Sequence, residues 1–481
     1  MRVSGKDEAV AGSVDRRPPV GWVLASLALC MLLPSLGTSI ANVALPTLAE
    51  AFAASFQQVQ WVVLAYLLAT TSLIVSVGRL GDLTDRRRLL MAGIFLFTVA
   101  SGLGGVASEL WLLIAARAAQ GLGAAVMMAL TMAFVGEAVP KHRTGSAMGL
   151  LGTMSAVGTA LGPTLGGVLI ASFGWQAIFF INIPLGVLAL VLAQRYLPAE
   201  RRAPKANQTG FDGMGTLLLA LTLVAYALAM TIGPGRFGLV NKALLGAAAL
   251  GVGLFVLTEA RAASPLIRLT RFRDPGLGAS LAMTALVSTV MMATLMVGPF
   301  YLAGTLGLDT ARVGIVMSVG PVIAALTGVP AGRIVDRFGA QRMTVSGLAG
   351  MLVGCSALCM APATLGTLGY VIPIVIITAN YALFQAANNT AVMTDVAPDQ
   401  RGVISGMLAL SRNLGLITGA SVMGAVFALA SGAGDVTTAH PEAVAIGMRV
   451  TFAVATALVA VAMLITLGSL ALSRPTHRSE S

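Results

Sequence analysis

Runs of about 20 apolar residues, each long enough to cross roughly 30 Å of hydrocarbon as an α-helix, recur along this sequence with only short breaks between them. They fall near residues 21–46, 60–80, 89–107, 111–135, 146–172, 177–196, 213–233, 240–259, 277–304, 312–330, 343–361, 368–392, 403–431 and 447–472. The bilayer is therefore the solvent for this chain, and no stretch between the runs is long enough for a separate soluble domain. The composition agrees, with 57% hydrophobic and only 10% charged residues.

A net charge of +11 would suit a nucleic-acid partner only if the Lys and Arg residues gathered on one soluble face. Most sit instead in every second loop, as the positive-inside bias requires, while the intervening loops hold only a few, such as Arg236, Lys242, Arg312 and Arg449. Arg2, Lys6, Arg16 and Arg17 precede the first run; Arg86, Arg87 and Arg88, then Lys141 and Arg143, then Arg195, Arg201, Arg202 and Lys205 follow in alternate loops. Arg261, Arg268, Arg271 and Arg273, then Arg333, Arg337 and Arg342, then Arg401 continue the series. An even number of spans returns both termini to the same side, so both are expected in the cytoplasm of a bacterial cell, with the chain in its inner membrane. Arg16 and Arg17 before an apolar run resemble a secretory signal, but the run continues through Pro46 without a small-residue cleavage pattern and reads as the first membrane helix. Cys30, Cys355 and Cys359 fall inside spans, where they read as small hydrophobes, not as a disulfide or metal framework.

The sequence repeats itself. Gly78-Arg-Leu-Gly-Asp82-Leu-Thr-Asp-Arg-Arg-Arg88 recurs as Gly332-Arg-Ile-Val-Asp336-Arg-Phe-Gly-Ala-Gln-Arg342, and Glu137-Ala-Val-Pro140-Lys-His-Arg143 as Asp395-Val-Ala-Pro398-Asp-Gln-Arg401. Two motifs in the same order at nearly the same offset mark a duplication. The expected fold is an all-α polytopic membrane protein of two six-helix bundles, 21–196 and 277–472, with a linker 197–276 that carries two extra transmembrane helices, and tails at 1–20 and 473–481. Two facing bundles can rock about a shared interface and open a central cavity to one side and then the other. Gly78, Asp82, Arg86, Arg87, Asp336 and Arg337 are expected to form a gate latch, against the alternative of a solvated loop with incidental ion pairs.

These residues resemble the major facilitator superfamily, and within it the fourteen-spanner drug:proton antiporter branch, over nearly the whole chain. The turn Gly78-Arg-Leu-Gly-Asp82 is similar to the superfamily's loop motif after the second helix, and Arg117-Ala-Ala-Gln120-Gly121-Leu-Gly123 to its motif with a buried arginine. Gly158-Thr-Ala-Leu-Gly162-Pro163-Thr-Leu-Gly166-Gly167 resembles the antiporter motif, while Ile40-Ala-Asn42-Val-Ala-Leu-Pro46 and Ser411-Arg412-Asn413-Leu-Gly415 resemble signatures of the branch. The resemblance implies a secondary transporter that expels hydrophobic or amphipathic drugs or metabolites in exchange for protons, by alternating access and without a cofactor. The chain departs from the branch at Gly37, where an acidic residue usually stands, and in the loop motif at Leu83 and Asp85.

A charge in mid-bilayer is expensive unless it faces a wet cavity or a partner, which makes Arg117 and Arg412 functional candidates. Glu137 and Asp395 at span ends are the candidate proton-coupling acids, because no carboxylate lies near the middle of any span. Thr38 and Asn42, Tyr66 and Thr70, and Tyr381, Gln385 and Asn388 recur at helical spacing; with Gln120, Phe300 and Tyr301 they form the expected cavity lining. Gly158, Gly162, Pro163, Gly166 and Gly167 are expected to act as a hinge or seal, with plain close packing as an equal reading. A nucleophile–base pair, a metal cluster, a Walker-type phosphate loop and a channel filter loop are all missing from the sequence, so an enzyme, an ATP-driven pump and a channel are disfavoured. Expected partners are the amphipathic substrate, protons and lipid; the protein reads either as a monomer or as part of an assembly with a periplasmic adaptor and outer-membrane channel. With two intramembrane arginines and no central acid, an anionic or neutral cargo with different or no proton coupling is the alternative reading.

Overall fold

The computed structural model describes residues 20–138, 144–197, 212–232, 238–262, 275–394, 401–432 and 439–472, and at some helical positions, Gly78, Asp82 and Glu137 among them, the backbone alone. The first six spans are α1 (Val20–Ala51), α2 (Phe56–Leu83), α3 (Arg86–Gly105), α4 (Leu110–Ala138), α5 (Thr144–Phe173) and a sixth broken into α6 (Ala177–Phe180) and α7 (Asn182–Tyr196). Pro184 removes the amide that would bond the Phe180 carbonyl, which accounts for the break. An inserted hairpin follows, α8 (Gly213–Thr231) and α9 (Leu239–Arg261). The second set is α10 (Pro275–Gly304), α11 (Thr310–Phe338), α12 (Ala340–Met360), α13 (Gly366–Thr394), then α14 (Arg401–Thr418) running through a π-helical turn, Gly419–Met423, into α15 (Gly424–Ala430), and last α16 (Pro441–Leu472).

Among the described residues, 13 helical stretches are long and apolar enough to cross a membrane. The 28-residue α2 stands in the place of the second span. Helix starts follow local chemistry: Asp85, Asp212 and Asp309 each accept an amide bond as N-caps, and Ser55 and Gln58 form a capping box at α2. The span expected to end at 330 continues instead to Phe338, so Asp336 lies inside the last turn of α11, which ends on Gly339 at φ 86°.

With lipid as apolar as the side chains, helices associate through close packing of small residues. A Cβ on Gly158 would lie 2.6 Å from the Leu32 carbonyl oxygen, one on Gly162 2.5 Å from Ser39 Cβ, and one on Gly166 2.8 Å from Ile40 Cγ1. That glycine row therefore seats α5 on α1. Pro163 and Gly167 face the other way: Gly167 would meet the Thr310 oxygen at 2.9 Å, and Gly314 of α11 abuts the Pro163 carbonyl.

The alternate-loop rule defines a basic end of the molecule, the end bearing Arg86–Arg88 and Arg342, and a far end. The two halves meet at the far end. One buried cluster runs continuously from Leu45, Phe56 and Ile170 of the first half to Val297, Phe300 and Phe427 of the second. A separate cluster around Leu27, Ile94, Leu130 and Leu151 stays within the first half at its basic end. Over the corresponding stretch of α11, Ala325, Leu326, Gly328, Val329 and Pro330 are exposed, over roughly half of the helix's circumference, while Ala331 on the remaining side is buried. The halves therefore form a cleft sealed at the far end and open at the basic end.

Candidate transport site

Arg117 enters α4 about two turns from the far end and is 1% exposed. Its Nε donates to the Val62 carbonyl of α2 at 2.9 Å, and one terminal nitrogen donates to the Gly37 carbonyl of α1 at 3.1 Å and to Gln120 Oε1. The guanidinium carbon sits 4.3 Å from the centroid of the Tyr66 ring, a cation–π geometry. The other terminal nitrogen, Nη2, is buried without a hydrogen bond. Gln120 passes the network on to Ser101 Oγ of α3 at 2.7 Å. One arginine thus ties α1, α2 and α4 directly and α3 through Gln120, and among the described residues no carboxylate pairs with it.

Gly37 is part of this arrangement. A Cβ there would lie 3.3 Å from Phe97 Cζ and 3.8 Å from Gln120 Nε2, so a side chain at this position would point at the Arg117–Gln120 pair. The acid usual in the branch is missing from the place where it would meet the arginine, and a backbone carbonyl receives the arginine instead.

The expected lining residues of the first half gather around the same centre. Tyr66 donates to the Pro34 carbonyl at 2.9 Å, which also accepts from Thr38 Oγ1 at 2.9 Å. Thr70 donates to the Tyr66 carbonyl at 2.8 Å and across to Gly121 of α4 at 3.1 Å. Asn42 is buried, its Nδ2 bonded to the Thr38 carbonyl and its Oδ1 unmatched; Pro46 removes the amide that the Asn42 carbonyl would have taken. Asn42, Tyr66, Thr70 and Gln120 are buried within the bundle, and Thr38 is half-buried.

The second half is arranged differently. Arg412 on α14 is half-buried, its Nε carries no hydrogen bond, and Tyr381 of α13 lies within reach of its charge and of the Ser288 hydroxyl. Tyr381 and Gln385 are half-buried, whereas Asn388 is buried and donates to Thr284 Oγ1 of α10 at 3.0 Å. Phe300 and Tyr301, neighbours on α10, point apart. Phe300 packs on Phe56 (ring centroids 4.9 Å) and Phe427 (6.5 Å) in the far-end seal, and Tyr301 stacks on Tyr370 at 6.2 Å within the second bundle.

Of the expected latch, Arg87 donates to the Gln194 carbonyl of α7 within its own bundle, and Arg86 packs near Gly81. Asp336 and Arg337 are exposed; Arg337 lies 5.4 Å from the Phe338 ring centroid. Asp85 bonds the Arg88 amide at 3.1 Å and pairs with its guanidinium at 3.4 Å. Gly78, Asp82 and Glu137 are described in their backbone alone, and Asp395 lies outside the described residues. The aromatic seal of Phe56, Phe300 and Phe427, the Gly314 partner of Gly167, and a bond from Gln60 to the Ala420 carbonyl on the π-turn escaped the sequence reading. The three rings come from three separate spans and leave no periodic trace, and Gly314 is one of four glycines on α11, so nothing local sets it apart.

The family model of the Major Facilitator Superfamily matches residues 27–420. The riboflavin transporter RibZ of Clostridioides difficile is 31% identical over 407 residues, covering 84% of this chain and 88% of the relative. The multidrug resistance protein Stp of Mycobacterium tuberculosis is 32% identical over 392 residues, covering 81% and 72%. Among solved structures, a bacterial homologue of the human lysosomal transporter Spinster, inward-facing and unoccupied, superimposes with a TM-score of 0.69 at 15% identity over 94% of this chain and 96% of that one. A duplicated helical frame, a cleft between its halves and relatives of this kind lead to one conclusion: the chain is a multi-pass membrane transporter, not an enzyme, and belongs to the major facilitator superfamily.

Proposed function

We propose that the protein exports hydrophobic or amphipathic small molecules across the bacterial inner membrane by alternating access, driven by protons. The observation that carries this reading is the cleft, sealed by Gly167 against Gly314 and by the Phe56–Phe300–Phe427 rings, and open at the basic end. The positive-inside bias puts that end in the cytoplasm, with both termini, so the cleft stands ready to load from inside. The multidrug name carried by a 32% identical relative supports a drug-like cargo, and the riboflavin transporter shows that a relative handles a polar, planar metabolite. Glu137 and Asp395 are the acids assigned to proton coupling, with Asp82, Arg86, Arg87, Asp336 and Arg337 closing the basic end in the opposite state. The protein works without a cofactor, as a monomer or with a periplasmic adaptor and outer-membrane channel.

A second reading is favoured by a specific feature. Arg117 and Arg412 carry fixed charge inside the membrane, since arginine does not deprotonate in proteins, and neither meets a described carboxylate. Such a site suits an anionic or neutral cargo. Reconstitution in proteoliposomes with an internal pH-sensitive dye and a panel of cationic, neutral and anionic amphiphiles separates the two. Proton movement triggered by cations supports drug:proton exchange; a response to anions alone, or flux without proton movement, overturns it in favour of the arginine-centred reading.

A further inference from the structure

The inserted hairpin is built into the transporter in an asymmetric way. Its two helices are tied by Asn241 of α9, whose Nδ2 donates to the Ala229 and Ile232 carbonyls at 2.8 and 2.7 Å and so satisfies acceptors left over at the end of α8. α9 packs along α8 and turns Leu239, Leu250 and Leu257 outward. α8 lies antiparallel along α2 and is fastened to it at both ends: Thr216 Oγ1 and Ser76 Oγ are 2.5 Å apart, and Trp61 Nε1 donates to Thr231 Oγ1 at 3.1 Å. The two anchors are fifteen residues apart on each helix, roughly 22 Å at the helical rise, so the helices run in register over most of their shared length.

Toward the second half α8 reaches with the hydroxyl of one residue, against the two anchors that hold it to α2. Tyr226 reaches Thr418 Oγ1 at 3.1 Å, on the residue where α14 passes into the π-helical turn. That turn carries an extra residue per helical repeat and swings the Ala420 carbonyl out to Gln60, the neighbour of Trp61 on α2. First half, hairpin and second half thus converge on one irregular turn, with Phe427 of the far-end seal just beyond it.

We infer that the α8–α9 hairpin is a fixed part of the first half, and that Tyr226 and Thr418 form a breakable clasp on the π-turn that holds the far end shut. When the far end opens, α2 leaves α15, the Gln60–Ala420 bond parts and α8 travels with α2, so that Tyr226 must release Thr418. The hairpin is then no passenger in the lipid: its clasp sets how readily the sealed state gives way. This inference rests on the alternating-access reading.

The test uses the full-length protein with Cys30, Cys355 and Cys359 replaced by alanine, reconstituted for transport. In one variant Ser76→Cys and Thr216→Cys are joined by a disulfide; in a second, Tyr226→Cys and Thr418→Cys are bridged by a cleavable thiol-specific linker of about 8 Å, the span a tyrosine side chain leaves. The first cross-link is expected to leave at least half of the uncross-linked rate. The second is expected to reduce it at least tenfold, with recovery on reduction. Tyr226→Phe, which keeps the ring, is expected to shift the equilibrium about three- to tenfold toward an open far end, read from spin-label distances. Arrest by the first cross-link, or unimpaired transport under the second, or no shift in Tyr226→Phe, overturns the inference. Should the untreated parent show no transport, the alternating-access reading itself fails, which keeps the two failures distinct.

Discussion

The two halves descend from one repeated frame, yet they hold their intramembrane charge in opposite ways. In the first half Arg117 is sunk among α1, α2 and α4, bonded to two backbone carbonyls and a glutamine and covered by the Tyr66 ring. In the second, Arg412 comes from a different position in the frame, stays half-buried and leaves its Nε free of hydrogen bonds beside Tyr381. A duplicated scaffold therefore supplies rigidity to both halves and a reachable charge to one. The first arginine ties its bundle together; the second stays partly accessible, which is why it is the one proposed to meet cargo.

The sharpest way to break this contrast is to remove each charge in turn. Arg117→Ala strands the Val62 and Gly37 carbonyls and Gln120, and is expected to abolish transport and to cost on the order of 3 kcal/mol of stability, measured by thermal unfolding in detergent. Arg412→Ala is expected to reduce transport about tenfold while changing stability by less than about 1 kcal/mol, because it makes fewer bonds. Equal losses of stability would erase the distinction.

A second test sets the far end against the basic end. Gly314→Leu puts a side chain where the Gly167 and Pro163 backbones already touch, so it should prevent the far-end seal and reduce transport at least tenfold. Gly328→Leu on the same helix has nothing within 4 Å and is expected to change transport less than about twofold. Flux assays at matched expression decide it.

Gly37→Asp sharpens the comparison from the other direction. Phe97 needs to yield by a few tenths of an ångström, and the new carboxylate then faces Gln120 and Arg117. Flux of cationic amphiphiles should rise severalfold relative to anionic ones and become more dependent on pH, since a titratable acid now neighbours the fixed charge. Smallest of all is Asp85→Ala, which removes the α3 cap and the pair with Arg88. It should cost about 1 kcal/mol, most of it from the cap, because Arg88 is 82% exposed; α12, the matching helix of the second half, starts on Gly339 without a side-chain cap.

How much of this was legible in the sequence follows from what each feature depends on. A membrane span needs about 20 apolar residues in a row, so many sequence-based ends fall close to the observed helices, as with 213–233 against Gly213–Thr231. By contrast, α11 runs on to Phe338 past the expected end at 330 and α16 starts at Pro441 ahead of the expected 447, because helices extend beyond their apolar stretch. Arg117 was legible as an intramembrane ion, but its partners are mostly carbonyls, and every residue carries one. The glycine row pointed to close packing or a hinge, whereas its seating on α1, and the turn of Gly167 toward α11, depend on which helices stand opposite. Trp61 sits where an interfacial tryptophan would, yet it bonds Thr231 of the inserted hairpin, a pairing 170 residues away in sequence that no local pattern encodes. The π-turn at Gly419–Met423 escaped for a related reason, since its apolar run reads as ordinary helix.

The central claim is that the two halves rock about a common interface, closing one end as the other opens. It is tested most directly by spin-label distances across the halves, with Leu150→Cys and Val329→Cys reporting the basic end and Phe173→Cys and Leu368→Cys the far end, all exposed positions. Recorded in nanodiscs with and without a transported amphiphile and across a pH step, the two distance distributions should move in opposite directions, the basic-end pair shortening as the far-end pair lengthens. Distances that move together, or a far end that never lengthens while transport proceeds, would contradict the account.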